Sequence, residues 1–195
     1  MEYSGHEATI LRQQHFLDSS EKRAESYKEA VKSRIGAAEI TNVVAANFND
    51  LEKPIVVEYD VKIANYAQKT GKRLLLQPVF FEYGVKPVFT SATRTNSVYF
   101  SYPWAEDDKI EIQLPDNFER ESIVPPAPID DPQGVGSLHV SLFTQNEQNL
   151  LKVDRQFHFG GGGNVIFPIK FYPAIKTMFD SFNRADSTVI MLKQR

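Results

Sequence analysis

From Ile55 to Ile63 the apolar residues Ile55, Val57, Tyr59, Val61 and Ile63 alternate with Val56, Glu58, Asp60 and Lys62. A two-residue period predicts a strand with one face on a core and the other in water. The polar interval 65–72 breaks this pattern, and Arg73 to Gln77 opens a second apolar run, so the two runs are expected to form an antiparallel pair. Upstream, Glu7 to Leu17 mixes both periods and is read as a strand. Asp18 with Glu21 resembles a capping box, and Ser19 and Ser20 are further caps. Ala24, Tyr27, Val31 and Ile35 then share one helical face, and Gly36 marks the stop. Glu39 to Phe48 returns as a strand, giving an opening β-α-β.

Downstream the periodicity is almost entirely of the strand type. Strands are predicted at Val98 to Tyr102, Lys109 to Leu114, Phe118 to Val124, Leu138 to Thr144, Asn149 to Phe159 and Thr188 to Leu192. Pro125 to Gly136 is a loop by composition, and Gly160 to Gly163 a mobile inter-strand break. The runs 138–144 and 149–159 suit a hairpin around residues 145–148. Facing Thr144 with Asn149 sets Leu142 against Leu151, Val140 against Val153 and His139 against Asp154. Pro173 opens the second clear helix, whose Ile175, Met178, Phe179 and Phe182 form an apolar stripe. The expectation is a mainly β (α+β) chain: an antiparallel β-sandwich with an N-terminal β-α-β segment and a C-terminal helix. It is read as one module over 1–195, with 1–50 able to form a sub-lobe.

Composition narrows the chemistry. Fourteen Phe and eight Tyr reinforce the β reading. A net charge of −3 with dispersed Lys and Arg offers no basic face, so nucleic acid is not an expected partner. No apolar run approaches the roughly 20 residues of a membrane span. The absence of cysteine removes disulfides, thiolate metal sites and a cysteine nucleophile within this chain. The first residues carry no secretory signal, and ordered periodicity begins close to Met1, which favours an excised piece of a longer protein.

The candidate motifs are weak. His6-Glu7 opens a zincin-like H-E-x-x-H, but Ile10 occupies the fifth position. The four glycines match no phosphate-binding spacing, and no helix follows them. Glu106-Asp107-Asp108 and Asp130-Asp131 lack the register of a calcium loop and read as solvated turns. No catalytic, metal or cofactor residue is assigned. The aromatic set Tyr99, Phe100, Tyr102 and Trp104 is the best binding candidate, with Tyr99, Tyr102 and Trp104 able to present rings to sugar or peptide. Within a strand Phe100 and Tyr102 share a face and Tyr99 lies opposite, so about half the set belongs to the core.

Four stretches carry a family resemblance: GHEATILRQQHFL, NDLEKPIVVEYDVKIANYAQKTGKRLLLQP, VYFSYPWAEDDKIEIQLPDNF and FYPAIKTMFDSFNRADSTVIMLK. Together they resemble the C-terminal region of bacterial transglutaminase-like proteins, in which the catalytic Cys-His-Asp set belongs to the preceding domain. The resemblance implies a non-catalytic structural or interaction module accompanying the neighbouring transglutaminase-like domain, one that packs on that domain, shapes its cleft or holds a partner. It also implies export with the parent to the periplasm or cell envelope. The rival expectations are a carbohydrate- or peptide-binding module built on Trp104, and a hydrolase with convergent acids.

Overall fold

The computed structural model describes residues 1–36, 38–145 and 148–195, and the chain divides into two compact units, Met1–Tyr66 and Ala67–Arg195. It is mainly β, with antiparallel sheets, a C-terminal helix and no closed barrel among the described residues.

The first unit contains β1 (Glu2–Tyr3), α1 (Gly5–Gln14), α2 (Ser20–Ile35), β2 (Ala38–Ala46) and β3 (Ile55–Ile63), with sheet order β1-β3-β2. Ile55 and Val57, at alternate positions of β3, are completely buried with Ala8, Tyr27 and Phe48. Val31, Ala38 and Ile40 form a second cluster. Ser19 caps α2 by accepting from the Lys22 N–H, and Gly36 closes it at φ 78°, where a side chain would strain the backbone. Asp18 is not the cap; its carboxylate holds His15 and Lys22 instead. The strand predicted over Glu7 to Leu17 is incorrect, because α1 occupies most of that range. Only Ala8 of α1 is buried, and so short a contact face leaves little helical period to detect. A bulge between Thr41 and Val44, with Asn42 at φ 52°, interrupts the alternation of β2.

The second unit contains β4 (Gln68–Thr70), β5 (Arg73–Leu76), β6 (Val98–Tyr99), β7 (Trp104–Gln113), β8 (Phe118–Ser122), β9 (Ile129–Asp130), β10 (Gly136–Gln145), β11 (Leu150–Phe159), β12 (Ile166–Phe167), α3 (Tyr172–Asp186) and β13 (Ile190–Gln194). Two four-stranded sheets run β7-β11-β10-β9 and β4-β5-β13-β8, and β12 pairs with β6. The expected pairing of β3 with β5 does not occur. Leu74, Leu75 and Leu76 pair instead with Leu192, Met191 and Ile190 of β13.

The hairpin of β10 and β11 is present, with a register two residues from the expected one: Leu142 faces Val153, Val140 faces Arg155 and His139 faces Gln156. A slip of two keeps every side chain on its face, so face patterning does not distinguish the two alignments. Part of the expected turn, residues 146 and 147, lies outside the described residues. Helix α3 begins with Pro173 in its first turn and buries Ile175, Phe179 and Phe182. The Phe182 ring meets Phe157 of β11 edge-on at 5.3 Å, and Phe179 lies 4.9 Å from Phe159.

The glycine run is a hydrogen-bonded turn between β11 and β12. Gly160 N–H donates to the Val135 carbonyl at 2.7 Å, and Asn164 N–H returns to the Gly161 carbonyl. A Cβ on Gly161 would stand 1.8 Å from the Gly134 carbonyl oxygen, so only glycine permits that approach.

Candidate functional site: a buried arginine among four carboxylates

The inner row of β11 reads Leu151, Val153, Arg155, Phe157, Phe159, and every member is buried. One arginine thus stands in a greasy row of the central strand, where an unpaired charge would be prohibitively costly. Its side chain is 3% exposed, and its partners are arranged around the whole guanidinium. From the end of α3, Asp186 receives Nε at 2.7 Å and Nη2 at 3.0 Å, a forked pairing that suits the planar group. From β7, Glu106 and Asp108 receive Nη1 at 2.8 and 3.1 Å. Glu82, in the 3-10 turn Phe80–Glu82, places Oε1 3.8 Å from Nη2.

Neighbours hold the carboxylates in turn. Gln77 Nε2 donates to the Asp186 backbone carbonyl at 2.8 Å, and Trp104 Nε1 donates to Glu106 Oε1 at 3.2 Å. Glu106 is the most exposed of the four acids, so the cluster meets solvent on its side, whereas the Asp186 side chain is only 6% exposed.

Four acids and one base leave an excess of negative charge, and burial penalises the ionised forms of Glu82, Asp108 and Asp186. Desolvation pushes Glu82 up to about 7, against the pull of Arg155, with the other three acids raising it further. Asp108 and Asp186 are also raised, again chiefly by burial. Burial favours loss of the Arg155 proton, but the hydrogen bonds and charges of Asp186, Glu82 and Glu106 outweigh it, and the guanidinium is held more firmly cationic than usual. At neutral pH the Glu82 carboxyl is therefore a mixture of its protonated and ionised forms, while Arg155 stays charged.

Sequence reasoning did not single out Arg155, Asp186 or Glu82. The available signal was Arg155 itself, a charged residue at an inward position of an otherwise apolar row. The triplet at 106–108 is corrected from a turn to the middle of β7, where Glu106 and Asp108 point inward and Asp107 faces the other way. Asp130 and Asp131 lie apart from this cluster. Asp130 meets His139 Nε2 at 2.9 Å, in place of the expected His139–Asp154 pairing, and Asp131 Oδ2 accepts the Gln133 and Val135 N–H groups in a turn. His6 and Glu7 stand in the first turn of α1, not before a strand. No group of three or more His, Cys, Asp or Glu among the described residues is placed to hold a metal ion. No helix there is long and apolar enough to cross a membrane.

The aromatic candidates separate. Tyr99 is 67% exposed on β6. Tyr102 is half-buried between β6 and β7. Trp104 is half-buried with its ring 4.9 Å from Phe159, 5.5 Å from Phe157 and 5.7 Å from Phe100. Trp104 thus joins the aromatic core to the acid cluster.

These features define a mainly β antiparallel module whose ionic centre is paired within its own chain. Residues 72–192 match the model of a domain of unknown function with solved structure (DUF3858), and the chain belongs to that family. All five charged members of the cluster lie within the matched residues. No curated protein matches the chain. A crystal structure of a candidate protease from Parabacteroides distasonis is similar over 54% of this chain, at 12% identity and a TM-score of 0.44. The similar region spans 19% of that protein's chain.

Proposed function

We propose that this chain is a non-catalytic structural and interaction module of a transglutaminase-like protein, with the neighbouring catalytic domain as its partner. The observation that carries the reading is the internal pairing of Arg155. Its guanidinium hydrogen-bonds to Asp186, Glu106 and Asp108, and those same carboxylates are thereby engaged. Such a centre ties α3 to β7 and β11, a role in holding the unit together, and the sequence contains no cysteine to act as a thiolate nucleophile. The resemblance of four stretches to the region following a transglutaminase-like domain supports that choice of partner, and with it a parent exported to the cell envelope.

Turnover tests the reading directly. The full chain is expected to show no acyl transfer from glutamine peptides to amines and no peptide hydrolysis between pH 5 and pH 9. Turnover that survives repurification and co-elutes with the folded chain would overturn it.

A further inference from the structure

The first unit carries a concave feature in which charge is left unbalanced. A pocket of about 350 Å³ has Arg12, His15, Phe16, Arg23, Phe48 and Leu51 in its walls. Phe48 is buried, and the Arg23 guanidinium carbon lies 4.6 Å from the centre of its ring. Arg23 Nε donates to the His15 carbonyl at 3.3 Å. Arg12 spends Nη2 on the carbonyls of Asn47, Asp50 and Lys53, and its buried Nε has no hydrogen-bond partner among the described residues.

Neither guanidinium forms an ion pair among the described residues. The acids close to them in the fold are engaged elsewhere: Asp18 holds His15 and Lys22, and Asp50, though near enough to feel Arg12, holds Lys53 and the Glu52 N–H. Around these two cations stand large apolar side chains turned to water: Phe16 is 78% exposed, the adjoining Leu17 92% and Leu51 79%. A single exposed leucine is ordinary, whereas several beside two uncompensated guanidiniums and an aromatic ring form a surface with both charge and grease to satisfy.

We infer that this pocket binds a peptide segment in which a carboxylate stands next to an aromatic or aliphatic side chain. The carboxylate meets the cationic side of the pocket, where a guanidinium offers a forked pair of donors. The neighbouring apolar side chain covers Phe16 and Leu51. An inorganic anion would satisfy the first requirement and leave the second unmet. Nucleic acid is disfavoured by the net charge of −3 and the dispersal of the other cations. This deepens the interaction half of the proposed function and rests on it, while standing independently of which catalytic domain lies alongside.

The test is fluorescence anisotropy of the full chain with fluorescein-labelled Glu-Phe-Glu-Phe, beside Lys-Phe-Lys-Phe and Glu-Gly-Glu-Gly. Saturable binding of the first peptide is expected, weakened by added salt and by about tenfold or more in either control peptide. Arg23→Gln and Leu51→Asp are each expected to weaken it by about tenfold; Leu51 is exposed, so its variant folds. Absence of saturable binding, equal binding of Glu-Gly-Glu-Gly, or a titration unchanged in both variants would overturn the inference. Substrate turnover by the chain would sink the non-catalytic reading and leave this result standing, so the two fail separately.

Discussion

Removing the Arg155 guanidinium leaves the Asp186 carboxylate buried without a counter-charge, which is far more costly than the net worth of the pair. Arg155→Met is expected to lower the unfolding free energy by about 3–5 kcal/mol in urea titrations followed by Trp104 fluorescence. Adding Asp186→Leu to that variant should recover part of the loss, because the stranded charge is then gone. Glu82 gives the cluster a pH signature of definite sign. Its folded value, about 7, lies above its unfolded one, so the native state binds the extra proton. Stability is therefore expected to fall as pH rises from about 4.5 to 7, by on the order of 2–3 kcal/mol from this residue. Glu82→Gln should flatten the profile across that window. A slope that persists unchanged in the variant would assign the titration to another group.

Elements are fixed by a few contacts whose removal has a computable direction. In α3, Phe179 sits against Phe89, Phe100, Phe159 and Phe182, so Phe179→Ala should cost about 3–5 kcal/mol and broaden the near-ultraviolet dichroism. The glycine turn separates two causes of strain. Gly161→Ala drives a methyl into the Gly134 carbonyl and should cost about 1–3 kcal/mol, or force the turn to rearrange. Gly163→Ala meets open space and carries only the cost of φ 78°, about 1 kcal/mol. Equal losses in the two variants, measured by thermal unfolding, would mean that the packing against Gly134 is unimportant. The predicted strands β2, β3, β8, β10, β11 and β13 and the helices α2 and α3 lie close to their expected bounds, whether they bury one residue, as β8 does, or several, as α3 does. Those that fail have weak or degenerate signals. Helix α1 buries one alanine, the hairpin slip of two preserves both faces, and the acidic middle of β7 looks like a turn until Arg155 is set opposite Asp108.

Across the whole molecule, local periodicity conveys which segments are extended and leaves their partners open. The two apolar runs at 55–63 and 73–77, separated by a short polar interval, invite one hairpin, yet the boundary between the two units falls between Tyr66 and Ala67, and the runs pair within different sheets. The candidate site was hidden for the same reason. Glu82, Glu106, Asp108, Arg155 and Asp186 come from five separate positions, and only the inward placement of Arg155 on β11 hints that they converge. The ring density around Trp104 was visible in the sequence, where it suggested a binding surface; its contacts with Phe157 and Phe159 come from a separate strand and became apparent only in the fold.

Strand β13, although last of its sheet in sequence, lies between β5 and β8 rather than at an edge. On a ribosome, β5 and β8 would both emerge before the segment that joins them, and the sheet could close only once residues 190–194 cleared the exit tunnel. Until then their unpaired backbone edges are open to neighbouring nascent chains. A product ending before Ile190 should consequently collect in inclusion bodies, because residues 190–194 decide whether the second unit matures at all.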